Sequence, residues 1–235
     1  MAEGDLVDQL RTYALIAGST GWRIYWDAYG PRTPHPHPDG RMALMQDVPP
    51  GNVGRGGLFL ATTPDGAAWE TLLRDLQPRY GQIYLPRAAL TGRSLVQLRA
   101  RVDVPLVDLT WPARRNLFVD REPTSYADVN TLWKLILESP DHTQSHHAAA
   151  ELAALATRLG LDFAGATWLS AQDQGAKVHL LYAPPYDPTA WDVVGDPIAL
   201  PSPAGVAAMR HAAEAAHMTL VLTGSTALPS EDDDP

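Results

Sequence analysis

The chain has 235 residues, 45% of them hydrophobic and 19% charged, with a formal charge of −9 at pH 7 and no cysteine. That is enough chain to bury a full core, as one large domain or two small ones, and it excludes disulfides, thiolate metal sites and a cysteine nucleophile. The acidic balance argues against direct nucleic-acid binding. No apolar run approaches the ~18 residues of a membrane span, and the N-terminal MAEGDLVDQL lacks the layout of a signal peptide, so a cytoplasmic protein without membrane association is expected.

In chain order, Leu6, Leu10, Tyr13 and Ala17 recur at helical spacing, which predicts an amphipathic helix over residues 5–17. WRIYWDAY, residues 22–29, alternates and is rich in aromatics, the mark of a strand that carries Arg23. PRTPHPHPD, residues 31–39, contains four prolines, which remove donors and fix φ, so an exposed, semi-extended loop holding His35 and His37 is expected. Gly40-Arg41-Met42 resumes order, and residues 49–57 form a second loop. The run 58–61 is too short for a lone helix and suits a buried strand. Thr63 is placed to cap the next helix, with Pro64 at its first position and Glu70 on its early turns.

Residues 82–85 and 105–110 read as strands, and residues 126–137 and 146–159 as the clearest helices, the latter stopped by Gly160. A strand pair is expected over 166–170 and 178–183, then a loop-rich stretch over 184–203, a helix over 204–217 and a last strand over 219–223. The expected organisation is an N-terminal helical extension (1–21), one α+β domain (22–223) and a disordered acidic tail (224–235).

Familiar site motifs are missing. The glycines of residues 51–57 precede a strand, whereas a dinucleotide fingerprint follows one. There is no phosphate-binding GxxxxGK[ST], no GxSxG elbow and no HExxH. His142 and His146 stand four apart, yet no third ligand has suitable spacing, and solvated helix residues are the simpler reading. No metal is expected.

Five segments, taken together in order and spacing, resemble the RES-domain family, named for an arginine, a glutamate and a serine along the chain. They are the early strand with Arg23, Gly40-Arg41-Met42, LFLATTPDGAAWE ending at Glu70, PLVDLT around Asp108, and FAGATWLSAQDQGAKVHLLY with Ser170. The match covers residues 22–183. It implies an ADP-ribosyltransferase-like fold, a split and mostly antiparallel sheet with flanking helices and NAD in the cleft. Family members are mostly toxins of bacterial toxin–antitoxin pairs that hydrolyse or phosphorolyse NAD+, or transfer ADP-ribose to a target. Their usual partner is an antitoxin with a DNA-binding helix-turn-helix region, and the resemblance allows a homodimer within such a complex. Two positions depart from the pattern. Phe59 stands where the family strand usually has tyrosine, which keeps ring stacking and loses a hydroxyl that Tyr25 or Tyr84 would have to supply. Ala164 stands where the pattern has aspartate.

The chemistry implied by the resemblance suits these residue types. Cleaving the nicotinamide–ribose bond needs little nucleophile activation, because nicotinamide leaves as a neutral group, and the barrier lies in an oxocarbenium-like ribose. A carboxylate in a water-poor cleft stabilises that charge, the role expected of Glu70. An arginine clamps a pyrophosphate better than a lysine, which makes Arg41 the first candidate and Arg23 the second. Ser170 would orient the substrate, and Phe59 would stack on it. Against these stand plainer readings: a Glu70–Arg74 surface pair, worth ~0.2–0.5 kcal/mol, an Arg23 paired with Asp27 or stacked on Trp22, and a structural Asp108. A mono-ADP-ribosyltransferase and a non-catalytic NAD- or partner-binding module are the competing functions.

Overall fold

The computed structural model describes residues 11–36, 39–46, 48, 54–117, 126–139, 141–173 and 175–224. His37, residues 1–10 of the expected N-terminal extension and residues 225–235 of the expected tail lie outside them. The chain adopts the expected α+β architecture, a large curled, mostly antiparallel sheet with four flanking helices. Its strands in chain order are β1 (Thr12–Leu15), β2 (Thr20–Trp26), β3 (Gly56–Ala61), β4 (Gln82–Pro86), β5 (Arg93–Ala100), β6 (Val104–Asp108), β7 (Gly165–Leu169), β8 (Lys177–Ala183), β9 (Trp191–Ala199) and β10 (Thr219–Thr223). The helices are α1 (Pro64–Ala68), α2 (Tyr126–Glu138), α3 (Thr143–Arg158) and α4 (Pro203–Ala215).

Among the described residues, the main sheet runs β1-β6-β7-β8-β3-β2-β5-β9, with β6 and β7 its parallel neighbours. β4 and β10 form a separate parallel pair. The split is physical. β2 pairs along its length with β5, and β3 along its length with β8, but β2 and β3 meet at a single position, Trp22 opposite Ala61. From that point the two strands diverge and open a cleft in the middle of the sheet.

Three apolar clusters cover the sheet. α2 and α3 pack Trp133, Ile136 and Leu152 against Trp168, Leu180 and Tyr182. α1 and α4 pack Ala67, Trp69, Met209 and Ala212 against Ile24, Ala61 and Ile83. The opposite face of β2, β3 and β5 buries Tyr25, Leu58, Leu60, Val96 and Leu98. Each fully buried Leu, Ile or Val contributes on the order of 1.5–3 kcal/mol relative to exposure.

Two expected elements differ. Thr12–Leu15 is a strand, paired antiparallel with Val104–Val107 of β6, rather than part of a helix. Its side chains alternate outward and inward, with Leu15 buried, so period-two burial at a sheet edge overrides a four-residue spacing that suited either state. Within the stretch expected to be loop, Trp191–Ala199 is the edge strand β9. Pro197 is tolerated there because the pairing with β5 shifts register between Leu95 and Gln97, where a proline costs no ladder bond.

Candidate active site

The strand-to-helix corner that carries Glu70 is built locally. Thr63 is extended and its Oγ1 accepts from the Gly66 amide at 2.9 Å, which caps α1, while Pro64 occupies its first turn. After one turn the helix widens into a π-helical turn over Trp69–Leu73. Such turns are rare and concentrate at functional positions. Here the turn buries Trp69, whose Nε1 donates to the Ala212 carbonyl of α4 at 3.0 Å, and sends Glu70 toward the cleft.

Glu70 does not pair with Arg74, whose Nε donates to Asp75 at 3.1 Å. Its Oε2 faces Arg41 Nη1 at 3.5 Å and its Oε1 accepts from Ser170 Oγ at 2.5 Å. Arg41, Glu70 and Ser170, far apart in sequence, are therefore brought together. Ser170 follows β7 and is buried, and its Oγ accepts from the amides of Gln172 at 3.1 Å and Asp173 at 2.9 Å. A hydroxyl has two acceptor lone pairs and one proton. With both lone pairs engaged by N–H groups, the proton points at Glu70. Ser170 thus fixes the carboxylate, and it does not line the cavity described below.

Arg41 sits on a loop held from three sides. His142 Nδ1 donates to the Asp39 carbonyl and His146 Nε2 to the Gly40 carbonyl, both at 3.1 Å. The Met42 amide donates to Ser145 Oγ at 3.2 Å, and the buried Tyr182 hydroxyl donates to the Met42 carbonyl at 2.7 Å. Met42 has φ of 60°, a left-handed conformation costly for a side chain with a Cβ, held by these contacts. Burial lowers the Arg41 pKa from its ordinary value, partly offset by Glu70. His142 and His146 are accordingly loop anchors, a role the sequence reading missed. Their four-residue spacing was visible, but nothing local shows that residues 39–40 dock across it.

Arg23 departs from both plain readings. Its Nη1 donates to the carbonyls of Pro31 at 3.1 Å and Thr33 at 3.0 Å. His35 in turn exchanges backbone bonds with Gly57 of β3. The proline-rich segment is, over residues 31–36, the irregular and largely exposed stretch expected, and it wedges between the diverging strands, with Arg23 pinning it. Burial without a carboxylate partner pushes the Arg23 pKa down to about 10. Asp108 Oδ1 accepts from the amide and hydroxyl of Thr110, a structural turn.

Between β2, β3, α1 and the Arg41 loop lies a cavity of about 260 Å³. Glu70, Arg41, Arg23, Phe59 and Tyr25 all line it. Arg23, Arg41 and Arg74 outnumber Asp39 and Glu70 in its wall, so a locally cationic cleft sits in an acidic chain. Phe59 packs edge-on against Trp168 with centroids 6.5 Å apart. Tyr25 lines the cavity from β2 but belongs to the cluster on the opposite face, where its hydroxyl bonds Ser94, and Tyr84 lies on the β4–β10 sheet, bonded to Gln82. An adjoining cavity of about 600 Å³ shares Arg41 and Arg74 and extends to Glu138, His142 and Gln172.

No family model matches the sequence, and no curated protein matches it. Among solved structures, the chain is similar to one in the crystal structure of the M. tuberculosis MbcT–MbcA toxin–antitoxin complex, at 14% identity over 82% of this chain and 88% of that chain, with a TM-score of 0.45. No helix among the described residues is long and apolar enough to cross a membrane.

Proposed function

We propose that the chain cleaves the nicotinamide–ribose bond of NAD+, by hydrolysis or phosphorolysis, and acts as a toxin that depletes NAD+ unless an antitoxin covers the cleft. The observation that carries this reading is the Glu70 carboxylate, partly buried at the closed end of a cationic cleft with one oxygen bonded by Ser170 and the other facing Arg41. A carboxylate so held costs no reorganisation when positive charge develops beside it.

In this reading Phe59 stacks on the nicotinamide or its ribose, and Glu70 accepts from the ribose hydroxyls as the glycosidic bond lengthens. Nicotinamide leaves with the bonding electron pair, and the electron-deficient ribose carbon is stabilised by the carboxylate until water or phosphate attacks it. Arg41 holds the pyrophosphate while its Nη1 stays beside the Glu70 carboxylate. Arg23 acts one step back, by fixing the wedge that shapes the cleft. The antitoxin, a helix-turn-helix protein in the family pattern, supplies any DNA contact, which an acidic chain is poorly suited to make.

The test is nicotinamide release from NAD+, with and without phosphate. Glu70→Gln keeps the size of the side chain and removes its charge, and is expected to slow release by at least about 100-fold. No release by the native chain, with no labelled acceptor, would overturn the enzymatic reading. The adjoining cavity at Arg41 and Arg74 favours one second reading, transfer of ADP-ribose to a protein side chain, since it leaves room for an acceptor larger than water. Label moving from NAD+ to a protein band identifies that outcome.

A further inference from the structure

The cleft is graded along its length. Its closed end is set by the Trp22–Ala61 pair, where Ala61, Ala67 and Glu70 meet. Two residues back along β3 is Phe59, beside Gly40 and therefore level with the Arg41 loop. Two further back is Gly57, bridged to His35. Along β2 the same distance leads from Trp22 to Trp26, about 13 Å at strand rise.

Rings gather at this outer level. Trp26 is 43% and Tyr29 47% exposed, and both line the cavity with His35. Tyr29 meets His35 edge-on, centroids 5.7 Å apart. Arg93 lies over the Trp26 indole at 3.9 Å and props it from one side. Trp26 and Tyr29 are thus held in place by Arg93 and His35 while nearly half of each stays open at the mouth of the cleft. They are suited to a flat, π-faced group that arrives with the ligand.

We propose that Trp26 and Tyr29 form the subsite for the adenine base of the dinucleotide. This rests on the reading that the scissile bond lies at Glu70. With that bond at the closed end, the remainder of the ligand has to run outward past Arg41 and end at the aromatic mouth. The mouth thus determines preference for a dinucleotide over a mononucleotide that carries the same scissile bond.

The experiment compares nicotinamide release from NAD+ and from nicotinamide mononucleotide by the full chain, Trp26→Ala and Trp26→Phe. Trp26→Ala is expected to lower kcat/KM for NAD+ about tenfold, through KM, and to leave the mononucleotide unchanged, because base stacking on an aromatic is worth about this much. Trp26→Phe is expected to restore most of the loss. An equal fall on both substrates, or on neither, overturns the subsite. Calorimetry with ADP, which has no scissile bond, separates the two readings. If no nicotinamide is released, Trp26-dependent ADP binding still supports the subsite, and ADP binding unaltered by Trp26→Ala, or absent, removes it.

Discussion

Ser170 illustrates how much one hydroxyl decides. Two backbone amides occupy its lone pairs and orient its proton toward Glu70, so the residue acts on the carboxylate. Ser170→Ala leaves two partly buried amides and one carboxylate oxygen without their hydroxyl partner. Loss of about 1–3 kcal/mol in stability is expected, read from the urea midpoint, together with reduced nicotinamide release. If Ser170 were itself the nucleophile, activity would vanish while Glu70 stayed in place. Gly66 is a second decisive position. A Cβ there would stand 2.6 Å from Ala176 Cβ and 3.0 Å from Thr63 Oγ1. Gly66→Ala is therefore expected to displace the start of α1 from the loop behind Ser170, costing about 1–3 kcal/mol. The check is a lowered unfolding midpoint accompanied by a lower kcat.

At the scale of elements, the π-helical turn after α1 and the wedge of residues 31–35 are the two irregularities that make the cleft. The interior of the sheet holds a third device. His179 of β8 is buried, shares a hydrogen bond with Thr167 of β7 at 2.9 Å, and stacks under Tyr13 of β1 at 5.6 Å. Burial pushes its pKa down to about 4. Between pH 6.5 and 4 the unfolded chain binds a proton at this residue that the folded chain refuses. Stability is thus full above about pH 6.5 and falls as the pH is lowered toward 4, by about 3 kcal/mol at the extreme. Urea midpoints at pH 7 and pH 4.5 measure this, and His179→Asn is expected to flatten the dependence. An unchanged slope in that variant would place the titration elsewhere.

For the whole molecule, the acidic chain gathers three arginines, Arg23, Arg41 and Arg74, in a cleft opened by the divergence of β2 and β3. An NAD+-consuming toxin carries a direct expectation. Expression of the native chain arrests growth and lowers cellular NAD+, while Glu70→Gln, expressed to the same level, does neither. Growth arrest by the Glu70→Gln chain would separate toxicity from the carboxylate. Co-expression with a cognate antitoxin is expected to restore both growth and NAD+.

Most strands and helices were legible because their signals are local. Thr63 and Pro64 announce α1, Gly160 sits at φ of 66° after α3, and alternation marks β2. β1, β5 and β9 were not, since their state is set by strand neighbours distant in sequence. The residue types at the site, a carboxylate, arginines and a serine in order, were also readable. The partnership itself was not. Sequence spacing offered Arg74 to Glu70, and the fold instead supplied Arg41 and Ser170 across separations of 29 and 100 residues. It turned Arg23 from a free clamp into the pin of a wedge, and two spaced histidines into anchors for Arg41. Local propensity is written in neighbouring residues, whereas a buried polar group takes whichever partner the packed chain brings within about 3 Å.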